Sequence, residues 1–370
     1  MGTPTIDPAL ARLIDQVQTA RAAKGALRIV GGGTKDFYGN PLQGEPLDVR
    51  PLAGVSSYEP TELVVTVRGG TPLAELEAVL AERGQHLAFE PPRLGPAATV
   101  GGMVAAGLSG PARAAAGSVR DHLLGATLLN GRAEVLTFGG QVMKNVAGYD
   151  VSRVLAGSMG VLGVICEVSL KVLPRPTATA TLRFDMDQAV ALARLNAWAG
   201  EPLPLSASAW WNDALVLRLA GARAAVEAAA RQLGGEVIEP ALAAAFWQGL
   251  RDQQDEFFVS ARTAVDGGAA LWRLGLPPTA APITLPGEQL VEWGGAQRWL
   301  CTPAAAAAVR DAAAATGGHA TLFRARADHA ACSAGAFHPL SAPLARFHAA
   351  LKKAFDPDRV FNPGRLYPDL

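Results

Sequence analysis

Of the 40 glycines in this 370-residue chain, 25 fall within the first 175 positions. Glycine weakens helices and strands, but it lets a backbone turn tightly or lie directly against another group. That half of the chain therefore needs bare backbone, either for turns or for a ligand. Fourteen of these glycines lie between Gly95 and Gly163.

The elements between the glycines can be read from their punctuation. Asp7 as N-cap, Pro8 at the first helical position, Leu10, Leu13, Ile14 and Val17 on one face, and Gly25 past the end predict a first helix. An apolar strand, Leu27 to Val30, runs straight into Gly31-Gly32-Gly33-Thr34. Glu62 to Arg68 alternates as a strand, and Thr71-Pro72 is expected to cap a helix with Leu73, Leu76, Val79 and Leu80 inward, stopped by Gly84. Gly125 to Leu129 and Ala133 to Phe138 flank Asn130-Gly131, the signal of a type I′ hairpin. Val164 to Val172 alternates as a half-buried strand, and Pro174-Arg175-Pro176 marks a boundary.

Beyond that boundary, strands are expected at Ala178 to Asp185, Leu205 to Trp211, Leu215 to Leu219, Leu271 to Leu276, Gln297 to Cys301 and Ala320 to Arg324. Helices are expected at Gln188 to Trp198, Ala222 to Leu233 and Pro303 to Ala315. This is the pattern of an α+β unit of hairpins and covering helices. The length accommodates two packed units, at about 100 to 200 residues per domain.

Thirty-three basic and 33 acidic side chains cancel, so the chain lacks the positive field of a nucleic-acid binder. Cys166, Cys301 and Cys332 have neither zinc nor redox spacing and read as reduced intracellular thiols. The N-terminal residues lack a basic start and apolar run, and the Ala-rich stretches carry charges before reaching the roughly 18 apolar residues of a membrane span. The expected location is the cytoplasm, without a membrane span.

Gly31-Gly32-Gly33-Thr34-Lys35-Asp36 offers successive N–H groups free of side chains, a nest suited to an anion such as phosphate. It is not a dinucleotide fingerprint, since Asp36 stands where G-x-G-x-x-G requires glycine, nor a P-loop. On its own such a loop is more often an ordinary tight turn. Gly101-Gly102 after Thr99, Gly107 to Gly110, and Gly117-Ser118 add further bare segments, which suits a ligand of dinucleotide size laid along the surface.

Arg28 to Thr34, the Pro91-Pro92 turn, Thr99 to Gly110 and Asp150 to Gly163 resemble the FAD-binding domain of vanillyl-alcohol-oxidase-type and hydroxy-acid dehydrogenase flavoproteins. Phe89-Glu90-Pro91-Pro92, Gly117 to Asp121, Val142 to Asp150 and Phe361 to Arg365 more closely resemble the smaller FAD-binding subunits of bacterial glycolate oxidases. The resemblance is dense over residues 27 to 176 and good over the last fifteen. It implies an α+β chain: a PCMH-type FAD-binding domain of two α/β subdomains over residues 1–176, a shortened α+β cap over 177–350, and a tail, 351–370, returning to the first domain. It also implies FAD on Val30, the amides of Gly31, Gly32, Gly33, Thr34 and Lys35, and Pro91. A second contact set would comprise Thr99, Gly101, Gly102, Ser109 and Gly110. Gly163 and Val164 would meet the adenine side, Ser118 and Asp121 would lie along the cofactor, and Asn362 would face the flavin. A capping carboxylate, a turn hydroxyl and an Asn-Pro turn are the local alternatives for Asp121, Ser118 and Asn362. Residues 29 to 39 contain no His or Cys for covalent attachment, so the FAD is expected to be non-covalent.

Oxidation of a 2-hydroxy acid needs a cation for the carboxylate and a base for the hydroxyl proton. Arg324, Arg326, His329 and His338 are the candidates in the second unit, each also readable as structural, and the catalytic residues stay unassigned. The six histidines form no metal set with a carboxylate, unlike the His/His/Glu caps of larger relatives, and no metal is expected. In the adjacent pair Trp210-Trp211, one ring is expected to point outward as a pointer to an interface. The resemblance implies a larger FAD-containing glycolate oxidase subunit and an iron–sulfur subunit as partners, and leaves open a peripheral place at the inner face of the cytoplasmic membrane through them. A self-sufficient hydroxy-acid or alcohol dehydrogenase and a non-catalytic scaffold are the alternatives.

Overall fold

The computed structural model describes residues 7–140 and 150–370. The Val142 to Tyr149 part of the motif quoted above lies outside the described residues.

Helix Pro8–Ala22 forms as its punctuation predicts, with the Asp7 carboxylate accepting from the N–H groups of Ala9 and Leu10. It packs Leu13 and Val17 against strand Leu27–Val30, which pairs in parallel with Glu45–Asp48. The C-terminal tail then adds to the same strand: Leu27 donates to the Val360 carbonyl, and Asn362 donates to the Leu27 carbonyl.

A five-stranded antiparallel sheet follows, in the order Val55–Glu59, Val64–Arg68, Val164–Lys171, Leu123–Leu129, Val135–Gly139. Val164–Lys171 was expected to be half-buried but sits in the middle of the sheet with both faces covered. Its polar Ser169 is buried too, and its hydroxyl shares a 2.9 Å hydrogen bond with Thr66. Thr71 does not cap helix Leu73–Glu82; its hydroxyl donates to the Arg68 carbonyl and accepts from Gly54 N–H, which ties the preceding turn.

The Asn130-Gly131 connection is not a two-residue turn. Leu129 pairs with Val135, so the loop has five residues, Asn130 to Glu134, and the positive φ falls on Ala133. The Asn130 carboxamide oxygen organises it by accepting from Arg132 and Glu134 N–H. Gly131 is required for another reason: its Cα lies against buried Asp356 of the tail, where a Cβ would overlap the carboxylate.

The second unit is built on an eight-stranded antiparallel sheet, in the order Glu236–Val237, Ala178–Asp185, Ala214–Gly221, Leu205–Trp211, Glu288–Glu292, Gln297–Thr302, Ala270–Gly275, His319–Arg324. Helices Gln188–Ala199, Arg223–Leu233 and Ala306–Ala315 cover one face through Leu192, Val226 and Val309. Pro240–Asp252 and Glu256–Asp266 cover the other, with Trp247, Phe257 and Phe258 continuous with the core of the first unit. Both Trp210 and Trp211 therefore point inward. Trp210 packs among Ala191, Leu192 and Leu215, and Trp211 lies edge-on to Phe257 at 6.3 Å, so the expected outward ring is absent because this sheet is covered on both sides.

The two units are joined by polar contacts. Glu90, with φ +48°, pairs with Arg218 at 2.9 Å and also accepts from Ala112 N–H, and Asp252 accepts from Arg93 N–H at 3.0 Å. No helix among the described residues is long and apolar enough to cross a membrane.

Candidate functional site

The glycine segments at 31–33, 101–102 and 160–163 meet in one cleft, with Thr99, Val164 and Asn362 on its walls. Its floor is the loop that leaves strand Leu27–Val30. The N–H groups of Gly31, Gly32, Gly33, Thr34 and Lys35, in residues that are half-buried or exposed, have no hydrogen-bond partner among the described residues. Five adjacent free donors at the mouth of a cleft could hold an anion, and the loop is called the cradle below.

The glycines serve the cradle by letting two loops interlock. A Cβ on Gly32 would overlap the Ala97 carbonyl, and one on Gly31 would lie 2.7 Å from the Thr99 hydroxyl oxygen. Thr99 is itself the N-cap of helix Val100–Ala106, accepting from Gly102 N–H at 3.3 Å. Gly101 N–H is already bonded to the Gly69 carbonyl, so Gly101 contributes closeness rather than a donor.

Lys35 completes the cradle. Its amine donates to the Thr34 hydroxyl and the Arg93 carbonyl but forms no ion pair among the described residues, and burial holds it down to about 8, with the Asp252 charge opposing only in part. The tail holds the loop from behind. Arg365, 3 % exposed, donates to the carbonyls of Lys35, Asp36, Tyr38 and Asn40. Asn362 bridges the two sides of the cleft, accepting from Ile29 N–H at 2.8 Å and donating to the Met159 carbonyl at 2.7 Å.

Of the expected cofactor residues, Gly31 to Lys35, Thr99, Gly101, Gly102, Gly163, Val164 and Asn362 line this cleft. Val30 stands just before it, in the strand. Ser109 and Gly110 line a different cavity, between the two units. Ser118 and Asp121 are occupied with each other as the capping box of helix Val119–His122, the Asp121 carboxylate accepting from the Ser118 N–H and hydroxyl at 2.8 and 2.9 Å. Those bonds, the backbone one foremost, hold the Asp121 carboxyl below the usual range. Pro91 is buried beside Glu90 and lines neither cavity.

The candidate catalytic side chains do not converge. The Arg324 guanidinium stacks 3.5 Å from the centre of the Phe37 ring, and Arg326 pairs with Asp328 on the surface. His329 caps a short helix through Ala331 N–H, and the His338 ring accepts from Ala320 N–H at 3.5 Å. Residue reasoning passed over Arg365 and Glu90, although both stand in quoted motifs; their signal was a charged residue inside a glycine- and proline-rich turn.

Residues 10–139 match the FAD binding domain family. Over 358 residues, 97 % of each chain, the sequence is 48 % identical to glycolate oxidase subunit GlcE of Escherichia coli (strain K12). The chain belongs to the GlcE family. Glycolate oxidase subunit GlcD of Bacillus subtilis is 31 % identical over 121 residues, 32 % of this chain and 25 % of that one. A mitochondrial D-lactate dehydrogenase of Arabidopsis thaliana is 30 % identical over 158 residues, 41 % of this chain and 27 % of that one. The fold is that of an alkyldihydroxyacetonephosphate synthase, with a TM-score of 0.64 at 16 % identity, covering 96 % of this chain and 76 % of that one. The GlcE-family chain is thus an α+β, FAD-binding subunit of the oxidoreductase class, and its free cradle lies at the start of the matched domain.

Proposed function

We propose that this chain is the FAD-binding subunit of a complex that oxidises glycolate, or a close 2-hydroxy acid, to the 2-oxo acid. The observation that carries the reading is the row of five unpartnered N–H groups beside Lys35, which fits a pyrophosphate in charge and extent. In this reading residues 1–176 hold FAD, residues 177–350 cover it, and the returning tail keeps Asn362 and Arg365 on the cleft. When bound, FAD supplies a two-electron acceptor for oxidation of a carbon bearing a hydroxyl. The chain's own part is to present the donor row, to neutralise phosphate charge with Lys35, and to exclude water by closing the Gly31–Lys35 loop on Ala97 and Thr99.

In this reading FAD is held non-covalently, since no His or Cys among the described residues lines the cleft. An iron–sulfur cluster needs a set of thiolates, whereas Cys166 and Cys301 are buried in different sheets and Cys332 stands alone on the surface. In this reading electrons pass to a cluster carried by another subunit, and a larger FAD-containing subunit completes the assembly. The cytoplasm, or its membrane face through these partners, is the proposed location.

The visible spectrum of the purified chain tests this reading. A flavin band that passes wholly into the supernatant on acid precipitation is the expected result; a colourless chain in a colourless complex, or a yellow pellet, overturns it. Lys35 adds a pH signature. Its amine is half-neutral at about 8 in the free protein, and a bound phosphate favours the charged form, so binding takes up a proton. FAD affinity is expected to fall as pH rises through about 8, and Lys35→Met to weaken binding and flatten that decline in a flavin fluorescence titration.

A further inference from the structure

The eight-stranded sheet ends in an edge that is only half covered. Strand Ala178–Asp185 has eight residues, and its outer neighbour Glu236–Val237 pairs with two of them, Leu182 and Arg183. The chain then turns away into helix Pro240–Asp252, so Ala178 to Thr181 have a partner strand on one side alone.

In an antiparallel ladder a residue turns its N–H and C=O to the same side, and successive residues alternate. The Thr181 carbonyl accepts from Ile238 N–H, on the side away from strand Ala214–Gly221. Ala220, opposite Thr179, gives its N–H to the Pro204 carbonyl and not to Thr179. Thr179 and Thr181 therefore both face the open edge. Neither the Thr181 N–H nor the Thr179 N–H and C=O has a partner there among the described residues.

This edge borders an open groove of about 440 Å³, whose other walls include Val237, Ile238 and, on the helix, Pro240, Ala244 and Trp247. The Trp247 indole donates to the Thr181 hydroxyl at 3.0 Å and fixes the helix to the strand. The charged groups lining the groove are matched within the chain: Arg218 pairs with Glu90, Arg251 with Asp252 and Arg93 with Glu77. Natural edges are usually blunted by a lysine, a proline or a bulge. Ala178-Thr179-Ala180-Thr181 contains neither residue and pairs with Ala214–Gly221 without a register shift. Beside it Val237 is 66 % exposed.

We propose that this groove takes an extended, uncharged peptide segment of another subunit, added as a strand beside Ala178–Thr181 in line with Glu236–Val237. An extended backbone presents N–H and C=O groups at the spacing of Thr179 and Thr181, whereas a helix spends its own internally. The charges already paired in the groove leave none for a charged side chain to meet, and an apolar side chain covers Val237 and Ala244. That the segment belongs to another subunit rests on the proposed function; the open edge and the groove rest on the geometry.

Amide hydrogen exchange tests this, on the chain alone and on the complex purified after co-expression with the larger flavin subunit and the iron–sulfur subunit. Exchange over residues 177–181 is expected to slow about tenfold or more in the complex, as newly paired amides do. Thr179→Pro removes a donor that the free chain does not use, at an edge position where proline is tolerated. It should keep the melting temperature and flavin content of wild type while the dissociation constant of the complex, read by sedimentation, rises about tenfold or more. Ala244→Glu, at an exposed position on the helix, puts an unmatched charge in the groove and should do the same. Unchanged exchange over 177–181 in an assembled complex overturns the proposal, as does wild-type assembly by both folded variants. Protection that grows with the concentration of the chain alone also overturns it, because the edge then pairs with a second copy. A wild-type chain that assembles with neither subunit refutes the proposed function, and the occupant falls with it; assembly without protection refutes this inference alone.

Discussion

Gly32→Ala is expected to yield a chain that purifies without flavin. The methyl group would occupy the position of the Ala97 carbonyl, so either the Gly31–Lys35 loop or the 95–99 loop must move away. Neither has slack. Arg365 grips four carbonyls on the distal side of the first loop, and the second ends in the Thr99 cap of helix Val100–Ala106. Overpacking of this kind costs about 1 to 3 kcal/mol or more, and the displacement falls on the N–H row that would hold the phosphates. Gly25→Ala is the control: its nearest added contact is an ordinary 3.8 Å, and it should keep full flavin content. The absorbance ratio of flavin to protein reads the result, and a yellow Gly32→Ala chain would show that the loop contact is not needed.

The second large effect lies at the tail. Lys352, in the last turn of helix Ala342–Phe355, and Asp356, at its C-cap, form an ion pair at 2.7 Å, 4 % and 0 % exposed. The carboxylate also accepts from the N–H groups of Val360 and Phe361, and the amine donates to the carbonyls of Val161 and Phe361. The pair thus fastens the segment that carries Asn362 and Arg365. Lys352→Met leaves a buried carboxylate without its counter-ion, which typically costs about 3 to 5 kcal/mol and, in a chain of this length, lowers the melting temperature by roughly 4 to 6 °C. Flavin content should fall with it, because Asn362 loses its anchor. Adding Asp356→Asn to Lys352→Met should restore part of the stability by removing the stranded charge. A melting temperature within about a degree of wild type in the single variant would mean the tail is held by its apolar side chains, Val360 and Phe361, instead.

The cradle was more legible than the rest of the site because its chemistry is local. Gly31 to Lys35 are consecutive, so the run of bare amides after a strand can be read locally, and the glycine segments that follow Thr99 weigh it towards a ligand rather than a tight turn. Ser118 and Asp121 were ambiguous for the same reason in reverse: a three-residue spacing also makes a capping box, and this is what they form here.

By itself the sequence determined whatever depends on near neighbours. The Asp7-Pro8 start of the first helix, the strand Leu27–Val30 and the α+β character of the second half follow from caps, alternation and turn chemistry within a few residues. The tertiary structure decided what depends on which surfaces meet. Asn130-Gly131 opened into a five-residue loop because Gly131 must admit Asp356, more than two hundred positions away. Trp210 and Trp211 both turned inward because helices cover one face of their sheet and the first unit's core the other. The tail became part of the cleft because one buried ion pair and a strand-like bridge to Leu27 return it there. Side-chain periodicity encodes a face, but only packing decides what that face will touch.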